Sequence, residues 1–89
     1  MELTLYTITS MYGRNYTDTR TRVFYAEESY NLFLDSFISD FADIGSSLSY
    51  LLGIKTTITD GLAVSHILYE VKREYKAVRE LNVKRECAV

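Results

Sequence analysis

The chain has no proline and no tryptophan in its 89 residues, and it has one cysteine and one histidine. Because Cys87 has no second cysteine to pair with, no disulfide can form within the chain, which is typical of proteins in a reducing cytosol. The first ten residues, MELTLYTITS, lack the basic start and the apolar stretch of a signal peptide. The apolar runs are also too short to span a bilayer. These absences predict a soluble, cytoplasmic protein.

The residue combinations that carry most enzyme chemistry are missing as well. Nucleophilic catalysis needs a nucleophile, a base that activates it and a group that orients the base. His66 and Cys87 lie far apart in the sequence, and no glycine-rich elbow is near either of them. No C-x-x-C or H-x-x-x-H spacing indicates a zinc site, and the four glycines occur singly, unlike those of a phosphate-binding loop. We therefore expect a protein that is not an enzyme and that needs no metal or cofactor.

The composition that remains is that of one small globular domain. Apolar residues make up 47% of the chain and charged residues 25%, and 89 residues are enough for one modest core. The net charge of −2 disfavours a protein that coats nucleic acid or an anionic membrane through an overall basic charge. We expect residues 1–89 to form a single α+β domain that does not bind membranes.

Two stretches near the start alternate in the way that strands do. In a strand, Leu3 and Leu5 would lie on one side and Tyr6 and Ile8 on the other, and the stretch TRTRVFYA has the same period of two. The residues between the two stretches, GRNYTD, are rich in turn formers. This pattern predicts a β-hairpin over residues 1–26.

The apolar pattern then changes to a helical period. The apolar stripe at this spacing consists of Tyr30, Phe33, Leu34, Phe37, Ile38, Phe41 and Ile44. Glu27 and Glu28 favour the start of a helix, and Gly45 favours its end. The spacing predicts an amphipathic helix over residues 27–45, and renewed alternation predicts a strand over residues 50–59.

The segment after Asp60-Gly61 fits two different structures. Asp-Gly between alternating residues is a strong signal for a hairpin turn. The apolar residues that follow nevertheless form a helical stripe, which consists of Val64, Ile67, Leu68, Val71, Tyr75 and Val78. Good helix formers are frequent here, and Asp60 would then be the N-cap. We favour a C-terminal helix over residues 62–82 with a tail at 83–89, and the hairpin is the alternative.

Together these elements predict the order β-β-α-β-α. The fold would be a three-stranded, mainly antiparallel sheet with two helices packed on one face. Such a sheet leaves its other face open, and we expect some of Tyr6, Tyr12, Arg20 and Arg22, or their neighbours, on that face. The open face would either bind a partner or pair with a second copy of the chain.

The candidate binding residues come from the stretch YGRNYTDTRTR and from the acidic side of the predicted helix. Arginine pairs with carboxylates and phosphates, and tyrosine anchors protein interfaces or stacks on bases. Asp40 and Asp43 share one helix face with an i,i+3 spacing, which lacks the pattern of a calcium loop. The predicted partner-binding residues are Tyr12, Arg14, Tyr16, Arg20, Arg22, Asp35, Asp40 and Asp43.

In size, α+β build and tyrosine content, the chain resembles the small accessory proteins encoded by phages and other mobile elements. That resemblance implies a protein that binds and blocks a host protein. We therefore expect a non-enzymatic protein-binding module, an inhibitor or adaptor, with a protein partner or a second copy of the chain as its target. The alternative is a small nucleic-acid-binding regulator that uses the arginine-rich and tyrosine-rich hairpin as a β-ribbon in a dimer.

Overall fold

The computed structural model describes residues 1–73, which form four strands and one helix. The elements in chain order are β1 (Glu2–Tyr12), β2 (Asp18–Phe24), α1 (Glu27–Ala42), β3 (Leu48–Thr59) and β4 (Leu62–Lys72). The predicted N-terminal hairpin, the first helix and the third strand are all present. The strand predicted at residues 50–59 begins two residues earlier, and the helix ends at Ala42, before the predicted stop at Gly45.

The prediction of a C-terminal helix is wrong over the residues that the structure describes. Residues 62–72 form β4, which pairs antiparallel with β3. Asp60 has a φ of 51° and Gly61 a φ of 82°, and two consecutive positive φ values are the geometry of a tight hairpin turn whose twist matches that of the strands. Asp60 is therefore a turn residue and not a helix N-cap. The rest of the predicted helix, residues 74–82, and the tail at 83–89 lie outside the described residues.

The sheet has four antiparallel strands in the order β2-β1-β3-β4, where three strands were predicted. The strand β1 lies inside the sheet, with β2 on one side and β3 on the other. The strands β2 and β4 form the two edges. Within residues 1–73 one helix packs on one side of this sheet, where two were predicted, and we call that side the helix side. The opposite side is called the open face.

The core lies between α1 and the middle of the sheet. Tyr6 and Ile8 of β1 and Leu51 of β3 are buried against Tyr30 and Leu34 of α1. The stripe predicted for the helix is thus confirmed in its first half, and Phe37 and Ile38 are partly buried against the same core. Its phenylalanines are less buried than expected, because α1 covers only part of the sheet.

A close approach between α1 and β3 explains the glycine at position 53. A Cβ atom at Gly53 would lie 2.0 Å from the hydroxyl oxygen of Tyr30. That hydroxyl is buried and has no hydrogen-bond partner among the described residues, and burial raises its pKa. The ring of Tyr30 can therefore reach the sheet only where the side chain of β3 is absent.

Arg73 connects the end of β4 to the rest of the domain. Its backbone N–H donates to the Ser49 carbonyl at 2.8 Å, and its Nε donates to the Leu48 carbonyl at 3.1 Å. Its Nη2 donates to the carbonyl of Phe41 at 2.5 Å, in the last turn of α1. A cationic donor at this position satisfies carbonyls that the helix itself leaves without partners. These bonds fix the C-terminal end of β4 next to the helix.

Candidate functional site

The arginines of β2 lie on the helix side of the sheet. Arg22 pairs with Ile8 and Arg20 with Ser10, and both partners are buried beneath α1. The guanidinium of Arg22 lies 5.0 Å from the ring centre of Phe33 on α1. Of the residues expected on the open face, Tyr6, Tyr12, Arg20 and Arg22 are therefore not there, and only their sequence neighbours are. These positions share the side of the sheet that the helix covers, because Tyr6 and Ile8 form the core there.

Arg20 belongs to a small exposed cluster at the edge of the sheet. Its Nη2 lies 3.0 Å from the Oδ2 of Asp18, and its guanidinium lies 4.7 Å from the ring centre of Tyr12. An exposed ion pair of this kind contributes at most about 1 kcal/mol to stability. The cluster nevertheless holds the Arg20 side chain beside its own strand.

Tyr16 lies apart from the other predicted anchors. It has a φ of 55° in the turn between β1 and β2, and its ring reaches the open face. Its hydroxyl donates to the Arg73 carbonyl at 2.5 Å, and the ammonium of Lys72 lies 5.1 Å from its ring centre. Arg14 is exposed in the same turn. The five anchors predicted from the hairpin are therefore divided between two sides of the sheet and the turn that joins them.

The three aspartates predicted as a second patch are exposed on α1 and just beyond its end. Asp35 and Asp40 lie within the helix, and the Oδ1 of Asp43 accepts the backbone N–H of Gly45 at 3.0 Å. Within residues 1–73, no three acidic, histidine or cysteine side chains are close enough to bind a metal ion together. Asp35 and Asp40 are thus exposed within α1, and Asp43 is exposed just beyond its end.

The open face carries apolar side chains on all four strands, and no element in residues 1–73 covers it. Leu3, with 47% of its surface exposed, and Val23, with 51%, are on this face. The other apolar residues of the open face are Leu5, Met11, Leu52, Ile54, Ile58, Ala63 and Ile67. Hydroxyl groups lie between them, including the Thr56–Ser65 pair with its oxygens 2.8 Å apart. This surface is apolar and weakly charged.

A pocket of about 370 Å³ lies on the open face near the turn between β1 and β2. Its lining consists of Thr9, Met11, Tyr16, Tyr50, Leu52 and Lys72. The hydroxyl of Tyr50 donates to the Oε2 of Glu70 at 2.5 Å. This bond to the Glu70 carboxylate, together with burial, raises the pKa of Tyr50 to about 12. The pocket therefore has two phenols, Tyr16 and Tyr50, and one cation, Lys72, in its wall.

The sequence predicts an open face, but it does not show which residues lie on that face, although one signal for them is present. Both alternating sets of β1 are apolar, so one set had to face the core and the other had to lie outside it. Only the packing of α1 decides that Tyr6 and Ile8 are inside and that Leu3 and Leu5 are on the open face. The pocket had no comparable signal, because it depends on Tyr16 folding over the sheet from the turn.

The comparisons with known proteins do not extend this description. Searches against protein-family models, curated proteins and solved structures found no significant match to the chain. The one helix of the described residues, α1, is neither long nor apolar enough to cross a membrane.

Proposed function

We propose that this chain is a non-enzymatic protein-binding module, an inhibitor or adaptor, that captures a partner protein on its open face. The observation that supports this proposal is the apolar surface of four strands with no covering element in residues 1–73. Contiguous exposed apolar surface of this kind is characteristic of interaction sites, since monomeric proteins rarely leave it uncovered.

The size of the open face fits a protein partner. Three strands of eleven or twelve residues and one of seven, each about 4.8 Å wide, give a surface of about 650 Å². A stable interface typically uses about 800 Å² on each partner. The pocket beside Tyr16 would accept one large apolar side chain of the partner, and such an inserted side chain typically dominates binding.

The charges of the open face favour a protein over a nucleic acid. Glu70 and Lys72 are of opposite sign and lie close together on this face, so they give little net field. Nucleic-acid binding requires several cationic groups on one surface to contact phosphates. Arg20 and Arg22 are on the other side of the sheet, where Asp18 and Phe33 are their neighbours.

The experiment that tests this function compares two leucine-to-glutamate substitutions. Leu3→Glu places a charge on the open face, and Leu32→Glu places the same charge on an exposed position of α1, where 72% of the leucine is accessible. Proteins captured by the wild type would be identified and purified, and their direct binding to each variant measured by calorimetry. We expect Leu3→Glu to weaken binding by about 2 kcal/mol, or roughly thirtyfold, and Leu32→Glu to leave it unchanged.

Two outcomes would contradict the proposed function. Loss of binding in Leu32→Glu alone would move the site to the helix. The protein could also bind DNA or RNA with an affinity that falls as salt is added. If that binding disappears when Arg14, Arg20 and Arg22 are changed to alanine, the nucleic-acid-binding alternative is favoured.

A further inference from the structure

The edge strand β4 has an unusual composition for its position. It pairs with β3 on one side, and no other strand of residues 1–73 pairs with it on the other. Residues 62–69, LAVSHILY, contain no aspartate, glutamate, lysine or arginine. Leu62 and Val64 on the helix side, and Ile67 on the open face, are all exposed. An edge of this kind presents backbone donors and acceptors next to apolar side chains.

Proteins normally protect such edges. Charged side chains, prolines, bulges and short strands prevent one sheet from pairing with another. The strand β2 has this protection, since it is short and carries Asp18, Arg20 and Arg22. The strand β4 has one irregularity, where the register with β3 shifts after Gly53, but its exposed residues 62–67 are regularly paired and uncharged. This part of the edge is therefore suited to hydrogen-bond with another strand.

We propose that β4 pairs antiparallel with β4 of a second copy, so that two chains form a homodimer with one continuous eight-stranded sheet. A twofold axis perpendicular to the sheet reverses the strand direction and keeps each face on its own side. Antiparallel pairing of the two β4 strands follows directly from that symmetry. Because residues 62–69 carry no formal charge, the two strands place no like charges opposite each other over this stretch.

The two edges together explain why assembly stops at two chains. After β4 pairs with its copy, the outer edges of the joined sheet are the two β2 strands. Each β2 edge carries the Asp18, Arg20 and Arg22 side chains, which disfavour a further strand. The dimer is therefore closed, and both α1 helices lie on the same side of the joined sheet.

This inference goes beyond the proposed function, because it concerns the edge of the sheet and not its open face. Dimerisation would place two open faces side by side on one surface. A partner could bind one open face without the dimer, and the dimer could form without a partner. The two proposals can therefore fail separately.

The test compares the same substitution on the two edges of the full-length chain. Val64 of β4 and Val23 of β2 are exposed to similar extents, 45% and 51%. Sedimentation equilibrium over a concentration series should show a dimer for the wild type and for Val23→Lys. Val64→Lys places two lysines near the twofold axis and should weaken self-association at least tenfold, with unchanged circular dichroism. A monomeric wild type, or equal association of both variants, would overturn the proposal.

A second measurement covers the case in which Val64→Lys fails to fold. Cys87→Ser removes the native thiol, and Ser65→Cys then places one thiol in the middle of the uncharged part of β4. Under mild oxidation this variant should form a disulfide between two chains, whereas Thr19→Cys on β2 in the same background should not. Equal cross-linking of the two variants would show that the contact is not at β4. Growth of the wild type beyond dimers would contradict the closed assembly.

Discussion

The two edges of the sheet are opposite in character although they belong to one small domain. The strand β2 is seven residues long and carries three charged residues, and β4 is eleven residues long with none over residues 62–69. Both are joined to their neighbours by turns that contain a glycine with positive φ, five residues long with Gly13 and two residues long with Gly61. The two edges therefore differ in strand length and in the charge of their side chains. This difference supports the proposal that β2 ends the sheet and that β4 extends it in a dimer.

The largest effect on self-association is expected when β2, the protected edge, loses its arginines. Arg20→Val together with Arg22→Val would make β2 resemble β4, so that both edges could pair with other chains. Light scattering should then show assemblies that grow beyond dimers as concentration rises. Asp35→Val with Asp40→Val is the control, since it also removes two exposed charges but from α1. Growth of both variants to the same extent would assign the effect to the added apolar surface and not to the edge.

The interior of the sheet should respond in stability and not in assembly. Gly53→Ala forces a Cβ atom against the Tyr30 hydroxyl, and we expect it to lower the free energy of unfolding by about 2 kcal/mol. Chemical denaturation measures this cost. In a Tyr30→Phe background the hydroxyl is absent, so the same substitution should cost about 1 kcal/mol less. Equal costs in the two backgrounds would mean that the contact does not limit the packing.

The same glycine-to-alanine substitution can be compared in the turns of the two hairpins. Gly13→Ala and Gly61→Ala each place a side chain at a φ above 80°, and each should lower stability by about 1 kcal/mol. Only Gly61 precedes β4 directly. If β4 forms the dimer contact, Gly61→Ala should also weaken self-association in sedimentation experiments, and Gly13→Ala should not. The reverse result would place the contact at β2.

The smallest effect on stability is expected at alkaline pH, where the hydrogen bond between Tyr50 of β3 and Glu70 of β4 is lost. The pKa of Tyr50 is raised from 10.0 to about 12, so the folded state favours the neutral phenol. Its contribution is fully present below pH 10 and is lost as the pH rises through about 12. We expect a loss of less than about 1 kcal/mol, because Glu70 is exposed. Tyr50→Phe should reduce this alkaline loss, and phenolate absorbance should show one tyrosine fewer titrating near pH 12.

The parts of the fold that the sequence predicts are those in which local pattern and packing agree. The helix α1 has one apolar stripe at helical spacing and acidic residues at its start, and no hairpin signal competes with them. In β4 the two signals conflict. Val64, Ile67, Leu68 and Val71 fit a helical stripe, because a strand with apolar residues on both sides loses its alternation. The Asp60-Gly61 turn and the pairing with β3 decide the outcome, and a helical period in the sequence cannot show that pairing.

The candidate site could be predicted only in part for a related reason. Arg20 and Arg22 are two residues apart in β2, so they lie on one side of that strand. Which side α1 would cover was not determined, because Leu3 and Leu5 are as apolar as Tyr6 and Ile8. The position of α1 depends on Tyr30 fitting above Gly53, a contact between residues far apart in the sequence.

The strand order has a consequence for how the chain folds during synthesis. The strand β1 leaves the ribosome first, and it pairs early with β2 through a short turn. Its other neighbour, β3, emerges only after all of α1, so one side of β1 has no paired strand until then. Pairing between distant strands is slow because the loop must close before the bonds form. The β1–β2 hairpin and α1 can therefore begin to assemble first, and β3 and β4 then complete the sheet from the opposite side.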